Sequence, residues 1–236
     1  MSHPRKGAAA RIRLPRRIRP GTPRASAPGE RLTCVVLAAS EEEWVGVDVK
    51  SGAIVRSPAE RASVFAPSAP LDIVRFPLAA SDGPADPARP EAVLPAEAPV
   101  RTGRLGPRKA RRLLDRLAAP ERDGAPLLDA WGPSLAFVDL DGSRPSVVLV
   151  AVDRRSLRLE RDRDRDQRAQ VVLVWGGMPQ RLPLRDPAAL EHLGSLPGRL
   201  EGAKLESALG FRPAYAVVAL GTVDGGHARK ELLALL

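Results

Sequence analysis

Cysteine is nearly absent: Cys34 stands alone in 236 residues. One thiol makes no intrachain disulfide and no multi-cysteine zinc site, so a reducing cytoplasm is the expected compartment. Aromatic residues are scarce too, with three tryptophans, four phenylalanines and one tyrosine. No apolar run approaches the ~18 residues that a membrane span requires, and no apolar segment of the secretory kind follows the basic start. Histidine is confined to positions 3, 192 and 227, which gives neither a close ligand spacing nor a Cys/His nucleophile motif. A glycine-rich phosphate loop ending in Lys-Ser or Lys-Thr is also missing. Neither a cofactor nor a metal is expected, and the chain reads as a soluble protein.

Arginine and proline are abundant. The 37 Lys and Arg outnumber 28 Asp and Glu for a net charge of +9, and only five of those cations are lysines. Residues 1–30 hold eight cations against Glu30 alone, so +7 of the total lies there, with five prolines among them. Such a stretch packs no useful helix or strand, and a disordered basic tail is expected over 1–30. Two roles fit it. Arg11, Arg13, Arg16, Arg17 and Arg19 form an arm that neutralises phosphates and releases counterions, or the tail is merely solvated and reflects an arginine-biased genome.

From Leu32 the texture changes to short apolar runs within a chain that is 44% apolar, enough for a real core. Strands are predicted over 32–37, 44–49 and 53–56, the last two joined by the Ser51-Gly52 turn, and over 72–78. Residues 81–99, rich in Ala, Pro and acids, read as an exposed loop. After Pro107, Ala110, Leu113, Leu114 and Leu117 fall at helical spacing among Arg108, Lys109, Arg111, Arg112 and Arg116, which predicts an amphipathic helix ended by Pro120. Its basic face either follows a phosphate backbone or is simply solvated. Further strands are predicted at 134–140, 146–152, 157–160, 170–175, 180–184 and 214–220, with a short helix at 187–193. Residues 228–236 suit either a helix or a last strand. Residues 153–168 alternate seven arginines with five acids, the pattern of a self-compensating hairpin tip.

The order of short phrases carries a resemblance. Leu32-Thr33-Cys34-Val35-Val36-Leu37-Ala38, Gly52-Ala53-Ile54-Val55-Arg56-Ser57-Pro58 and Pro70-Leu71-Asp72-Ile73-Val74-Arg75-Phe76-Pro77-Leu78 are followed by Trp175-Gly176-Gly177, Arg185-Asp186-Pro187 and Ala219-Leu220-Gly221. Over 31–236 this sequence resembles the dual OB-containing domain family. The resemblance implies a mainly β chain with minor α, built as two small OB-like β-barrels. Their bounds are 31–100 and 130–236, joined by a linker and basic amphipathic helix at 101–129 and preceded by the tail. It also implies a nucleic-acid-binding module of a family associated with bacterial conflict or defence systems.

OB barrels hold single strands with a basic groove and exposed rings that stack on bases. The candidate rings are Trp44 and Trp175, which lie beside polar or glycine turns and are either presented or packed in the core. The candidate phosphate contacts in the folded part are Arg56, Arg158 and Arg161, with Arg56 equally suited to pairing with Asp72. The preferred expectation is a non-enzymatic binder of single-stranded DNA or RNA, and the alternative is an adaptor that docks a protein partner. A third reading rests on Asp139-Leu140-Asp141-Gly142, similar to the first motif of haloacid-dehalogenase-type phosphatases. There Asp139 would be nucleophile and Asp141 acid/base around magnesium, whereas a plain Asp-Gly turn explains the same letters.

Overall fold

Residues 34–39 form a continuous apolar run containing β-branched side chains, long enough for a strand buried on both faces and too short for a helix. In the computed structural model, which describes residues 29–57, 59–65, 68–80, 86–161, 169–193 and 198–236, such runs form three antiparallel sheets, and the chain is mainly β. Of the basic tail, residues 1–28 lie outside the described residues, as do residues 162–168.

The first sheet contains β1 (Arg31–Ala39), β2 (Trp44–Asp48), β3 (Ile54–Arg56), β4 (Asp72–Pro77) and β5 (Val100–Arg104), in the order β3-β2-β1-β4-β5. Alternation along the central strand sends Cys34 and Val36 to one face and Val35 and Leu37 to the other. The first face encloses an aromatic cluster, with Trp44 stacked on Phe65 at 4.2 Å and Phe76 edge-on to both. A 3-10 segment, Ala59–Phe65, supplies the Phe65 ring.

After this sheet come α1 (Pro107–Leu117), β6 (Ser134–Ala136), β7 (Val147–Ala151), β8 (Arg158–Arg161), β9 (Ala169–Trp175), β10 (Met178–Pro183), α2 (Pro187–Leu193), β11 (Arg199–Glu201), α3 (Gly202–Leu209), β12 (Tyr215–Asp224) and β13 (His227–Leu235). Strands β10-β9-β8-β11 make one sheet and β6-β13-β12-β7 the other. The latter is the middle layer. On β12, Val217 and Ala219 join the core shared with the first sheet and α1, while Ala216, Val218 and Leu220 join the core shared with the β8–β11 sheet, α2 and α3. Burial of each Leu or Val in these layers contributes about 1.5–3 kcal/mol. The two halves read from the sequence therefore share one of their cores.

Several expectations change. Residues 134–140 stop being a strand at Ala136 and continue as a 3-10 turn, Phe137–Asp139. Of the two readings for 228–236, the strand holds, because β13 pairs with both β12 and β6. The stretch read as an exposed loop after Ser81 places Ala88, Arg89, Glu91 and Val93 in the interior, where Val93 donates its N–H to the Arg56 carbonyl at 2.8 Å. The Asp186-Pro187 phrase has a local reason: Asp186 Oδ1 accepts from Ala189 N–H at 3.1 Å at the start of α2, and its Oδ2 accepts from Leu235 N–H at 2.8 Å on β13.

Candidate nucleic-acid interface

Pro107 opens α1 where a missing N–H costs nothing, and Ala110, Leu113, Leu114 and Leu117 bury one face. The opposite face exposes Arg108, Lys109, Arg111, Arg112, Asp115 and Arg116. Arg108, Arg112 and Arg116 repeat every four residues and stack along one line, about 6 Å apart in rise. Strand β5, just before the helix, adds Arg101 and Arg104, both more than half exposed. Buried Asp72 fixes their orientation by an ion pair with Arg101 Nε at 3.0 Å and by accepting a hydrogen bond from Arg104 Nη1 at 3.3 Å. Seven cations thus occupy positions 101–116 against one exposed acid, Asp115.

Local electrostatics oppose this arrangement. Like charges four apart destabilise a helix by about 0.2–0.5 kcal/mol per pair. Cations in the first turn oppose the helix dipole, each at a cost of about 0.3–1 kcal/mol, and α1 has no acid there. Asp115 also accepts a hydrogen bond from the Tyr215 hydroxyl. Burial foremost, and then the bond to Asp115, push the Tyr215 pKa up to about 12. A surface that departs from what its own helix prefers is where an external anion has the most to offer.

The residues singled out from the sequence are dispersed. Arg11, Arg13, Arg16, Arg17 and Arg19 lie outside the described residues. Trp44 is fully enclosed in its aromatic cluster, so it presents no face to a base and corrects the stacking expectation. Trp175 is 6% exposed and belongs to the core of the second half, and the loop at 121–125 packs on the turn that follows it. Gly176 N–H donates to Glu121 Oε1 at 2.9 Å, and a Cβ on Gly176, whose φ is +58°, would meet the Ala125 carbonyl at 2.6 Å. Arg56 is wholly enclosed and is a correction on both of its readings: it pairs with Glu43, not Asp72, and reaches Ser146 Oγ at 2.9 Å and the Leu220 carbonyl of the middle sheet. Arg158 and Arg161 are half-buried on β8, and an odd spacing on a strand sends them to opposite faces.

Asp139 is exposed on its 3-10 turn, while Asp141 Oδ1 accepts both N–H and Oγ–H of Ser143 at 2.9 and 2.7 Å. Those bonds hold the Asp141 carboxyl below the usual carboxylate range. The geometry is that of an Asp turn. Sequence reasoning missed β5, whose Arg101 and Arg104 complete the ridge, and it gave no role to Trp131, which is 69% exposed. Among the described residues no helix is long and apolar enough to cross a membrane. No family model matches the chain, and no curated protein matches it.

Proposed function

We propose that this chain is a non-enzymatic nucleic-acid-binding module of the cytoplasm whose folded contact surface is the β5–α1 ridge, with the tail arginines adding sequence-independent affinity. The observation that carries this reading is the run of seven exposed cations at 101–116: the five on α1 sit against the helix's own electrostatic preference, and Asp72 orients the two on β5. Phosphates relieve that repulsion and release counterions. An OB-like reading of 31–104 has support in the order β3-β2-β1-β4-β5, the order of an OB barrel opened between its third and fifth strands. A second OB-like unit in 130–236 rests on the order of phrases alone. Single strands are favoured because OB-like barrels hold unpaired strands along a basic groove.

Fluorescence anisotropy of the full chain with labelled single-stranded DNA, duplex DNA and RNA across a salt series tests this. The expected result is binding that weakens steeply with salt and is diminished by R108Q/R111Q/R112Q. Absence of binding, or binding indifferent to that triple change, overturns it. A protein-docking adaptor is the second reading, and its support is the exposed apolar turn at Phe137 and Val138, the latter 89% exposed. V138D would then abolish partner capture and leave nucleic-acid binding untouched.

A further inference from the structure

Three features converge on the segment before β6. The turn at 127–130 closes through Ala130 N–H to the Leu127 carbonyl at 3.3 Å, and its two central residues, Leu128 and Asp129, both have left-handed backbone, φ +52° and +55°. Leucine rarely adopts that conformation, and it persists only where the surroundings over-determine it. Here they do. Leu127 and Leu128 are anchored in the core. Lys230 of β13, itself 1% exposed, donates its Nζ to the Ala130 carbonyl, and its backbone N–H to the Pro133 carbonyl at 2.9 Å.

What this strained, clamped segment does is hold Trp131 out in solvent. The other two tryptophans are enclosed, and Trp131 enters none of the ring pairs among the described residues. Beside it lies a cavity of about 310 Å³, lined also by Ser134, Asp139 and Arg144, at the small end of ligand pockets and suited to one base. Asp139 takes no side-chain hydrogen bond or ion pair among the described residues, whereas the neighbouring Asp141 is engaged by Ser143 and feels the charge of Arg144.

We infer that the Trp131 cavity is a subsite for an unpaired guanine, stacked on the indole, with its Watson–Crick edge on Asp139 and its phosphate toward Arg144. An ionised carboxylate only accepts, and its two oxygens suit two adjacent donors. Guanine offers N1–H beside the N2 amine. Adenine and cytosine place a donor next to an acceptor, and uracil flanks one donor with acceptors. Splayed bases stacked on aromatic rings and read on that edge are the usual mode of single-strand recognition. Asp129 also lines the cavity and Arg144 is shared with Asp141, so carboxylates outnumber the one guanidinium, and a base within a strand suits the site better than a free triphosphate. This inference rests on the nucleic-acid reading above and adds base selectivity to it.

The test uses the full chain and its own tryptophan fluorescence, since Trp44 and Trp175 are enclosed and supply a constant background. GMP, IMP, AMP, CMP and UMP are titrated separately. The expected result is saturable quenching by GMP, weaker by about tenfold with IMP, which lacks the N2 amine, and with the other three. W131F removes the quenching, and D139N keeps it but levels the preference among bases. No saturable quenching, or equal quenching by all five that D139N leaves unchanged, overturns the inference. Salt-dependent binding of an oligo-dT strand, measured in parallel, separates the two claims. If it survives W131F while GMP fails to quench, the guanine subsite falls and the ridge stands, and if oligo-dT does not bind at all, the ridge falls on its own evidence.

Discussion

Arg56 and Glu43 meet as a two-pronged pair in the interior, with Nε and Nη2 of the guanidinium each 2.7 Å from a different carboxylate oxygen. Arg89 adds a second cation at 2.9 Å from Glu43 Oε2. Glu91 completes the group by accepting Ser146 N–H at 2.7 Å and Ser146 Oγ–H at 2.6 Å. Two cations and two anions balance, and the group bridges the first sheet to β7 and β12. Burial foremost, and then the neighbouring Arg56 charge, lower the Arg89 pKa, so Glu43 is what makes the two guanidiniums compatible.

Removal of the Glu43 charge should therefore be severe. Breaking a buried pair by taking one partner leaves an uncompensated ion and costs about 3–5 kcal/mol, and E43Q leaves two guanidiniums beside the single charge of Glu91. We expect its urea midpoint to fall by the equivalent of that range with an unchanged slope. A loss below about 1 kcal/mol, under the usual cost of one unmet buried hydrogen bond, would mean that the interior group does not hold the sheets together.

The same group explains what was legible in the sequence and what was not. The runs at 32–37, 146–152 and 214–220 are visible because strands buried on both faces are almost wholly apolar, Thr33 and Ser146 being the exceptions here. Helix α1 is visible because one face carries four apolar residues at the right spacing. Arg89 and Glu91 are invisible because their burial depends on Glu43 and Ser146, dozens of positions away, while their own surroundings of Ala and Pro read as a loop. Strand β5 is invisible for a different reason: at an edge, exposed on both sides, it has no alternation to betray it. Arg56 shows the limit most plainly, since an arginine at a strand end looks the same whether it meets a phosphate or a buried carboxylate.

The ridge makes a prediction in which stability and binding move apart. R108Q/R112Q removes two members of a like-charged line on α1, so the melting temperature should stay level or rise slightly. Affinity for a single strand should fall, and the slope of log K against log salt should shrink by about 1.4, at about 0.7 for each phosphate left without its arginine. An unchanged slope with the fold intact would show that neither arginine touches the backbone of the strand.

Trp44 sets a packing test independent of charge. A Cβ added at Gly46 would stand 2.5 Å from Cη2 of the Trp44 ring and 3.3 Å from the Cys34 Cβ. The ring is rigid and stacked on Phe65, so it has nowhere to retreat. Overpacking of this kind costs about 1–3 kcal/mol, and G46A should lose that much in denaturant titration. Unaltered stability would mean that the cluster is looser than its 4.2 Å stacking distance indicates.

Lys230 makes stability depend on pH in an unusual direction. Burial lowers its pKa from 10.5 to about 8. Between those values the unfolded chain still binds the proton and the folded chain has released it, so stability rises with pH across that window. Below about pH 8 the full cost of burying the ammonium is present. Tyr215 acts in the opposite sense, because its pKa is raised from 10.0 to about 12, and it removes stability only above about pH 10. The interval from pH 8 to 10 thus reports on Lys230. Wild-type protein should show a urea midpoint that climbs across it, and K230M should show a midpoint that climbs less or stays flat. Parallel profiles for the two proteins would mean that the ammonium reaches water in the folded state, and that the clamp on the Ala130 carbonyl is weaker than its burial implies.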